Sequence, residues 1–314
     1  MSAKREGGGQ ARRHGPWRLM AERLSADRLA LASLALLLLL AALVLAAPLV
    51  AALLGHRVDE VDLVSRLEAP SWSHPLGTDE LGRDELLRLL WGGRVSLLVG
   101  LVAALASAVI GSGVGLLAGY WGGFLDAFLM RLTDGVIALP LLPLLIVLAA
   151  VDPAKLGLPA WIVEAESLNL YRIIAIVALV GWTRTARLVR NTTLSVRERE
   201  FVLAARAAGA GALRIMLVHI LPNAVSPIIV ATTLSIGGII LFESVLSFLG
   251  LGIQPPQASW GNMLSGGLEL FATSPALALY PGALIFLAVI AFNLLGDGLQ
   301  AALDPRALGR TRGR

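Results

Sequence analysis

Cysteine is absent from the 314 residues, which excludes a disulfide framework, a thiolate metal site and a cysteine nucleophile. Charge is scarce as well. Asp, Glu, Lys and Arg make up 15% of the chain against 56% hydrophobic residues, and the mean hydropathy is +0.76. So few charges cannot cover an ordinary globular surface, so lipid is the solvent for most of this chain. The histidines, His14, His56, His74 and His219, show no metal-ligand spacing. No G-x-x-x-x-G-K-[ST] occurs, so the chain has no loop of its own to cradle ATP phosphates. The GSG at 111–113 is not a G-x-S-x-G elbow and supplies no serine nucleophile. A net charge of +4 and a pI near 10.1 would suit nucleic acid. The charges cluster in loops beside apolar spans, however, and basic patches with interleaved aromatics are missing, so no nucleic-acid partner is expected.

What remains is a series of apolar runs. Residues 1–28 form a polar, basic tail that turns amphipathic around Trp17–Leu29. Leu29–Leu54 is nearly unbroken apolar sequence. AALVLAAP within it offers small residues for cleavage, but the run is too long and its leader too extended for a signal peptide. It is read as the first membrane span. Gly55–Arg94 is polar. His74, Asp79, Asp84 and Glu85 there could suggest a metal or acid–base site, yet no ligand pattern fits them, and a capped turn leading into an amphipathic helix is the expectation. Val95–Tyr120 is the second span, with Ser107, Gly111, Gly115, Gly119 and Gly123 at every fourth position. Such a ridge of small residues lets another helix pack closely in lipid.

Leu132–Val151 is the third span, with Pro140 and Pro143 either bending a pathway-lining helix or shaping packing. An acidic segment, Asp152–Leu168, precedes the fourth span at Asn169–Leu188. The fifth is Asn223–Gly250 and the sixth Leu277–Leu295. Between the last two lies GIQPPQASWGNML, a rigid Pro-Pro turn and a short amphipathic stretch. Glu243 is the one acidic residue inside a span, and an intramembrane carboxylate is by default a candidate for the transport pathway. About 30 Å along the helix from Asn223 at 1.5 Å per residue, it is expected near the outer water interface, solvated.

The stretch Ser195–Asn223 interrupts this apolar pattern with arginines, glutamates and alanines. Ser195 with Glu198 reads as a capping box opening a helix. That helix should end near Gly209, suited to the left-handed position past a helix end. A second helix over Gly211–Leu221 should stop against Pro222. Phe201, Ala205 and Ala208 fall on one face of the first helix, an aromatic knob among alanines that suits docking into a groove.

Ala204, Ala205, Gly209, Leu221 and Pro222 stand where the cytoplasmic "EAA" signature of bacterial ABC-importer permeases has its two alanines, its glycine and its terminal Leu-Pro. The signature's glutamate falls on Leu203 and its later isoleucine on His219. The runs HPLGTDELGRD, GGRVSLLVG, LAARAAGA, LRIMLVHILPN, GIQPPQASWGNML and ALYPGALIFLAVIAFNLLGDGLQAALDPR together resemble the dipeptide/oligopeptide (peptide/nickel) branch of that family, from about residue 29 to 306.

The resemblance implies an all-α integral membrane protein with the ABC type I importer permease fold, six transmembrane helices and a cytoplasmic helical coupling hairpin. The chain then divides into an N-terminal tail (1–28), a first helix and outer segment (29–94), a core permease domain (95–296) with the coupling loop 191–222, and a C-terminal tail (297–314). Coupling is expected from Glu200, Phe201, Ala204, Ala205, Arg206, Gly209, Leu221 and Pro222. Implied partners are a second permease subunit, two ATP-binding subunits that use ATP and Mg, and an extracellular or periplasmic solute-binding protein. The chain itself is expected to bind no cofactor or metal and to be no enzyme. Peptides are the implied cargo, a nickel chelate the alternative within the family, and a secondary transporter the alternative outside it.

Orientation follows without the resemblance. With both termini inside, cytoplasmic segments hold 19 of the 26 lysines and arginines, and the positive-inside rule selects that topology; the resemblance implies that the membrane is a bacterial plasma membrane.

Overall fold

The computed structural model describes residues 16–151 and 168–303, together with Lys155 and Pro159. The first fifteen residues, most of the acidic segment expected after the third span, and the end of the C-terminal tail lie outside the described residues. Among those described, regular structure is helical apart from one isolated bridge between Thr78 and Asp84.

Helix α1 (Pro16–Leu24) is the amphipathic part of the tail, and the Arg23 guanidinium donates to the carbonyl of Ala302 at 3.2 Å. Helix α2 (Arg28–Leu45) starts on Asp27, whose carboxylate accepts from the Leu29 and Ala30 amides. The expected single first span is broken: α3 (Ala47–Leu54) follows after Ala46, with Pro48 in its first turn. A proline there has no proton for the preceding turn, so the ladder restarts.

Helix α4 (Glu85–Trp121) has 37 residues, about 55 Å at 1.5 Å per residue. The lead-in helix and the second span are therefore one rod, opened by the Asp84 carboxylate accepting from the Leu87 amide at 2.8 Å. A rod of this length exceeds a bilayer core of roughly 30 Å, so its first turns project beyond the span read from hydropathy.

The third expected span also divides. Helix α5 (Gly123–Ala138) and helix α6 (Leu141–Ala150) meet at 89°. Leu139, directly before Pro140, is extended (φ −75°, ψ 135°), the conformation that a following proline ring favours. Pro143 falls in the first turn of α6, where its missing N–H costs nothing.

Helix α7 (Leu168–Val196) contains the fourth expected span and continues past it to Val196. Helix α8 (Glu200–Ala207) and helix α9 (Ala212–Phe248) follow. The turn at cis Pro255–Pro256 leads to helix α10 (Trp260–Glu269), which begins with a capping box between Ser259 and Asn262. Helix α11 (Ala276–Leu303) runs well past the sixth expected span into the segment read as a tail.

Among the described residues, four helices are long and apolar enough to cross a membrane: α2, α4, α9 and α11; the bent pair α5–α6 adds a fifth if it forms one span. Helix α4 lies along α7, α9 packs on α11 and α4, and α2 covers α11. Trp260 stands in the main core, fully buried among Leu40, Leu89, Val99, Ile240 and Ala288. A second core, around Val189, Val202, Ile215 and Ile220, sits at the α8 end.

Candidate coupling surface

The α4–α7 contact is the rigid part of the molecule, and it is made by small residues. A Cβ added to Gly111 would lie 2.5 Å from the Trp182 carbonyl oxygen, and one on Gly115 would lie 2.5 Å from that of Ala186. On Gly119 it would meet Thr193 at 2.6 Å and the Arg190 carbonyl at 2.9 Å. One turn back, Ser107 faces Gly181, whose added Cβ would be 2.7 Å from the Ser107 hydroxyl. The atoms facing the three glycines of α4 are backbone or β-branched and cannot move aside, so any larger side chain there separates the helices. Gly123, fifth in the register, is outside the seam: it begins α5 and faces open space.

The seam ends beside the loop that carries α8. Arg197, just past α7, donates to the carbonyl of Gly119 at 2.8 Å, which ties the end of α7 to the end of α4. Arg190 forms a bidentate pair with Asp126 of α5 at 2.5 and 2.6 Å, the geometry that gives arginine its strong carboxylate pairing. Farther out, Arg187 pairs with Asp134 at 2.6 Å.

The expected Ser195–Glu198 capping box does not form. Ser195 is inside the last turn of α7, Glu198 lies in the turn and pairs with Arg197, and α8 starts only at Glu200, after Arg199, with no side-chain cap. The long helix wins because Val189, Thr193 and Val196 are buried against its neighbours, and burial outweighs a cap worth about 1 kcal/mol.

Helix α8 is held by a single buried side chain, Val202, which is 0% exposed among Val196, Ile215 and Met216. Burial of that size contributes about 1.5–3 kcal/mol. Its outer side is open: Glu200, Phe201, Ala204 and Arg206 are exposed, and Ala205 is half-buried. Arg206 lies over the Tyr120 ring at 5.6 Å. The helix ends at Ala208, and Gly209 takes φ +81°, the left-handed conformation glycine adopts without a Cβ penalty.

The expected stop at Pro222 is overturned. Leu221 and Pro222 lie inside α9, and Ile215–Ile220 immediately before them is a π-turn. The wider turn accommodates a residue that has no N–H to give, and the helix goes on. The second arm is thus the start of a long membrane helix, mechanically continuous with it. Phe201, Leu203, Leu213, Leu217 and Val218 are exposed across the two arms. Hydropathy did not mark Leu213, Leu217 or Val218; the four-residue spacing from Leu213 to Leu217 was the available signal.

Glu243 does not meet water. It is 0% exposed in α9. Ser96 of α4 donates to one oxygen at 2.9 Å, and Ser247 donates to the other at 2.8 Å. These hydroxyls in turn accept from backbone: Ser96 from the Trp260 amide at 3.3 Å and Ser247 from the Ile253 amide at 3.0 Å. The expected solvated position fails because the loop after α9 folds back over it. Gly252 permits that return, since a Cβ there would lie 2.2 Å from the Ser247 hydroxyl.

The 55–94 segment builds a buried ion cluster at the end of α4 away from the hairpin. Asp79 accepts from the Leu81 amide and from the Arg83 backbone and Nε, the last at 2.7 Å, and Arg88 Nε stands 3.4 Å away. His74 Nδ1 meets Asp84 at 3.0 Å. Asp62, exposed on this segment, is held below the usual carboxylate range by hydrogen bonds from the Ser65 hydroxyl and the Val64 amide. Among the described residues no group of His, Cys, Asp and Glu could hold a metal ion.

Several long apolar helices, a bent apolar pair and a short interhelical arm exposing apolar residues make this a multi-pass membrane protein. Residues 111–309 match the family of binding-protein-dependent transport system inner membrane components, and the chain belongs to it. Residues 15–70 match the N-terminal TM domain of oligopeptide transport permease C. The chain is 40% identical over 259 residues to a Brucella suis protein named provisionally as a peptide permease, covering 81% of this chain and 80% of that one. It is 40% identical over 247 residues to the dipeptide transport system permease protein of Alkalihalophilus pseudofirmus, covering 79% and 77%. With the oligopeptide transport system permease protein of Mycobacterium tuberculosis the identity is 38% over 261 residues, covering 83% and 86%.

Proposed function

We propose that this chain is one of the membrane-spanning subunits of an ATP-driven importer of peptides. In this reading it pairs with a second permease subunit, is driven by two ATP-binding subunits through the α8 arm, and receives cargo from an external solute-binding protein. Six spans, with α7 and the bent α5–α6 pair completing the set, put both termini and the arm in the cytoplasm of a bacterial cell. The relatives named for dipeptide and oligopeptide transport support the cargo.

The observation that carries the reading is the arm itself. One side is sealed by Val202, and the other presents Phe201, Leu203, Ala204 and Leu213 to solvent. An apolar patch rimmed by charge marks a surface for another protein. A push on α8 passes through the buried Val202 contact to the second arm, which runs directly into α9. Chemical energy from a partner's ATP hydrolysis thereby becomes movement of the helices around the pathway. Glu200, Phe201, Ala204, Ala205, Arg206 and Gly209 form the contact, and Leu221 and Pro222 belong to the transmitting helix.

The test is Ala204→Glu, which puts a charge on the exposed side without touching the Val202 seal. In the reconstituted complex, peptide uptake and substrate-stimulated ATP hydrolysis should fall at least tenfold while the subunit still inserts and unfolds at its normal temperature. Unchanged uptake and ATP hydrolysis would remove the coupling assignment.

A further inference from the structure

At the end of the molecule opposite the hairpin, a cavity of about 260 Å³ opens between the start of α4, the end of α9 and α10. At about 30 Å³ of liquid volume each, it has room for about nine water molecules. Its lining includes Glu85, Arg88, Gln254, Asn262, Ser265 and Glu269.

Two of these groups have unmet requirements. Glu85 is 2% exposed and Arg88 5% exposed, yet Glu85 Oε1 and Arg88 Nη1 have no hydrogen-bond partner. They sit three residues apart on α4, the spacing that brings side chains to one helix face. Their neighbours serve them only in part. Asp79 is already occupied by Arg83 and two backbone amides, with Arg88 Nε 3.4 Å away. Asp84 is held by His74 and by its capping bond to Leu87. The far wall is fixed as well: the Glu243–Ser247–Ile253 bonds pin the loop after α9, and Asn262 donates to the carbonyls of Ile253 and Gln257.

A buried carboxylate with one unpartnered oxygen and a buried guanidinium that reaches Asp79 only through Nε and leaves Nη1 unpartnered, both lining one preformed cavity, are costly unless something fills them. A cation alone would face Arg88, and an anion alone would face Glu85. We propose that the cavity is a binding site for a small zwitterion bearing a primary ammonium and a carboxylate, its ammonium on Glu85 and its carboxylate on Arg88. A free amino acid or a dipeptide supplies that pair of groups within the volume. The inference rests on the permease reading only for its place on a transport route; binding by the chain alone requires neither the coupling arm nor a partner.

The experiment is equilibrium binding of labelled L-alanyl-L-alanine to the full chain in lipid nanodiscs at neutral pH. Saturable binding is expected, weakened at least tenfold by N-acetylation or C-amidation of the probe and by Glu85→Gln. Glu85 makes no hydrogen bond that the variant would break, and an unchanged unfolding temperature confirms that its fold is kept. Arg88→Lys, which keeps the charge but loses the planar fork, should weaken binding several-fold. Unlabelled L-alanine that competes as well as the dipeptide assigns the site to single amino acids; failure to compete assigns it to the dipeptide. Absence of saturable binding, or binding indifferent to both probe blocking and Glu85→Gln, overturns the proposal. Such a failure with peptide uptake intact removes the cavity and leaves the permease reading. An assembled system that takes up no peptide while this chain binds the probe removes the cargo reading instead.

Discussion

At one end of α4 the charges are inside. Asp79, Arg83, Asp84 and His74 are buried and pair with one another, and Glu243 beneath them has both oxygens occupied by serine hydroxyls. At the other end the pattern inverts: the Arg187–Asp134 pair is about half exposed, and Phe201, Leu203 and Leu213 stand in the open. The first end pairs most of its charges within the chain, although Glu85 and Arg88 each keep one unpartnered atom and Val64 and Trp72 stay exposed. The second has left apolar area uncovered, which a protein made to stand alone in water would not do. Between them the α4–α7 seam is a bar that lets neither end move independently.

The bar is the place to break this comparison most severely. Gly115→Leu would drive a side chain into the Ala186 carbonyl, 2.5 Å from an added Cβ. A loss of about 3 kcal/mol is expected, read as a collapse of thermal unfolding temperature in detergent and poor membrane yield. Gly113, two residues earlier on the opposite side of the helix with open space around it, should accept alanine with little effect. The buried end is next. Glu243→Ala leaves Ser96 and Ser247 without their acceptor, a loss of about 2 kcal/mol. Hydrogen exchange should quicken first at the Ile253 and Trp260 amides and leave those of α8 unchanged. The smallest effect sharpens the exposed end. Arg190→Ala, which breaks the partly buried bidentate pair, should cost about 1 kcal/mol, whereas Arg187→Ala, half exposed, should fall within about 0.5 kcal/mol of the parent. Chemical denaturation of the two variants side by side checks the order.

Much of this was legible in the residues. The four-residue register of Ser107, Gly111, Gly115 and Gly119 implies close approach whatever the partner, and Gly209 implies a helix end whatever follows. Asp84 caps α4 as its chemistry suggests. The misreadings share one cause, which is that local rules were outvoted by packing. Ser195 and Glu198 spell a helix start, but burial of Thr193 and Val196 carries α7 through them. Pro222 spells a stop, but a π-turn absorbs it. Pro140 had two readings left open, and the chain chose a sharp bend. Glu243 was placed by counting along a helix, and counting cannot reveal that the segment after Gly250 returns to cover it. Glu85 stood out in the sequence only as one of four polar residues, and the unpartnered atoms on Glu85 and Arg88 had no signal there, because Asp79 and Asp84 are taken up mainly by other groups.

The central claim is that the exposed arm is the contact for a nucleotide-driven subunit, and the absence of cysteine makes one measurement direct. Phe201→Cys in the assembled complex, with a short thiol cross-linker and Trp72→Cys at the opposite, charge-burying end as the control, should join this chain to an ATP-binding subunit only from Phe201. Cross-linking to that subunit from Trp72, or none from Phe201 in a complex that still hydrolyses ATP on demand, would contradict it.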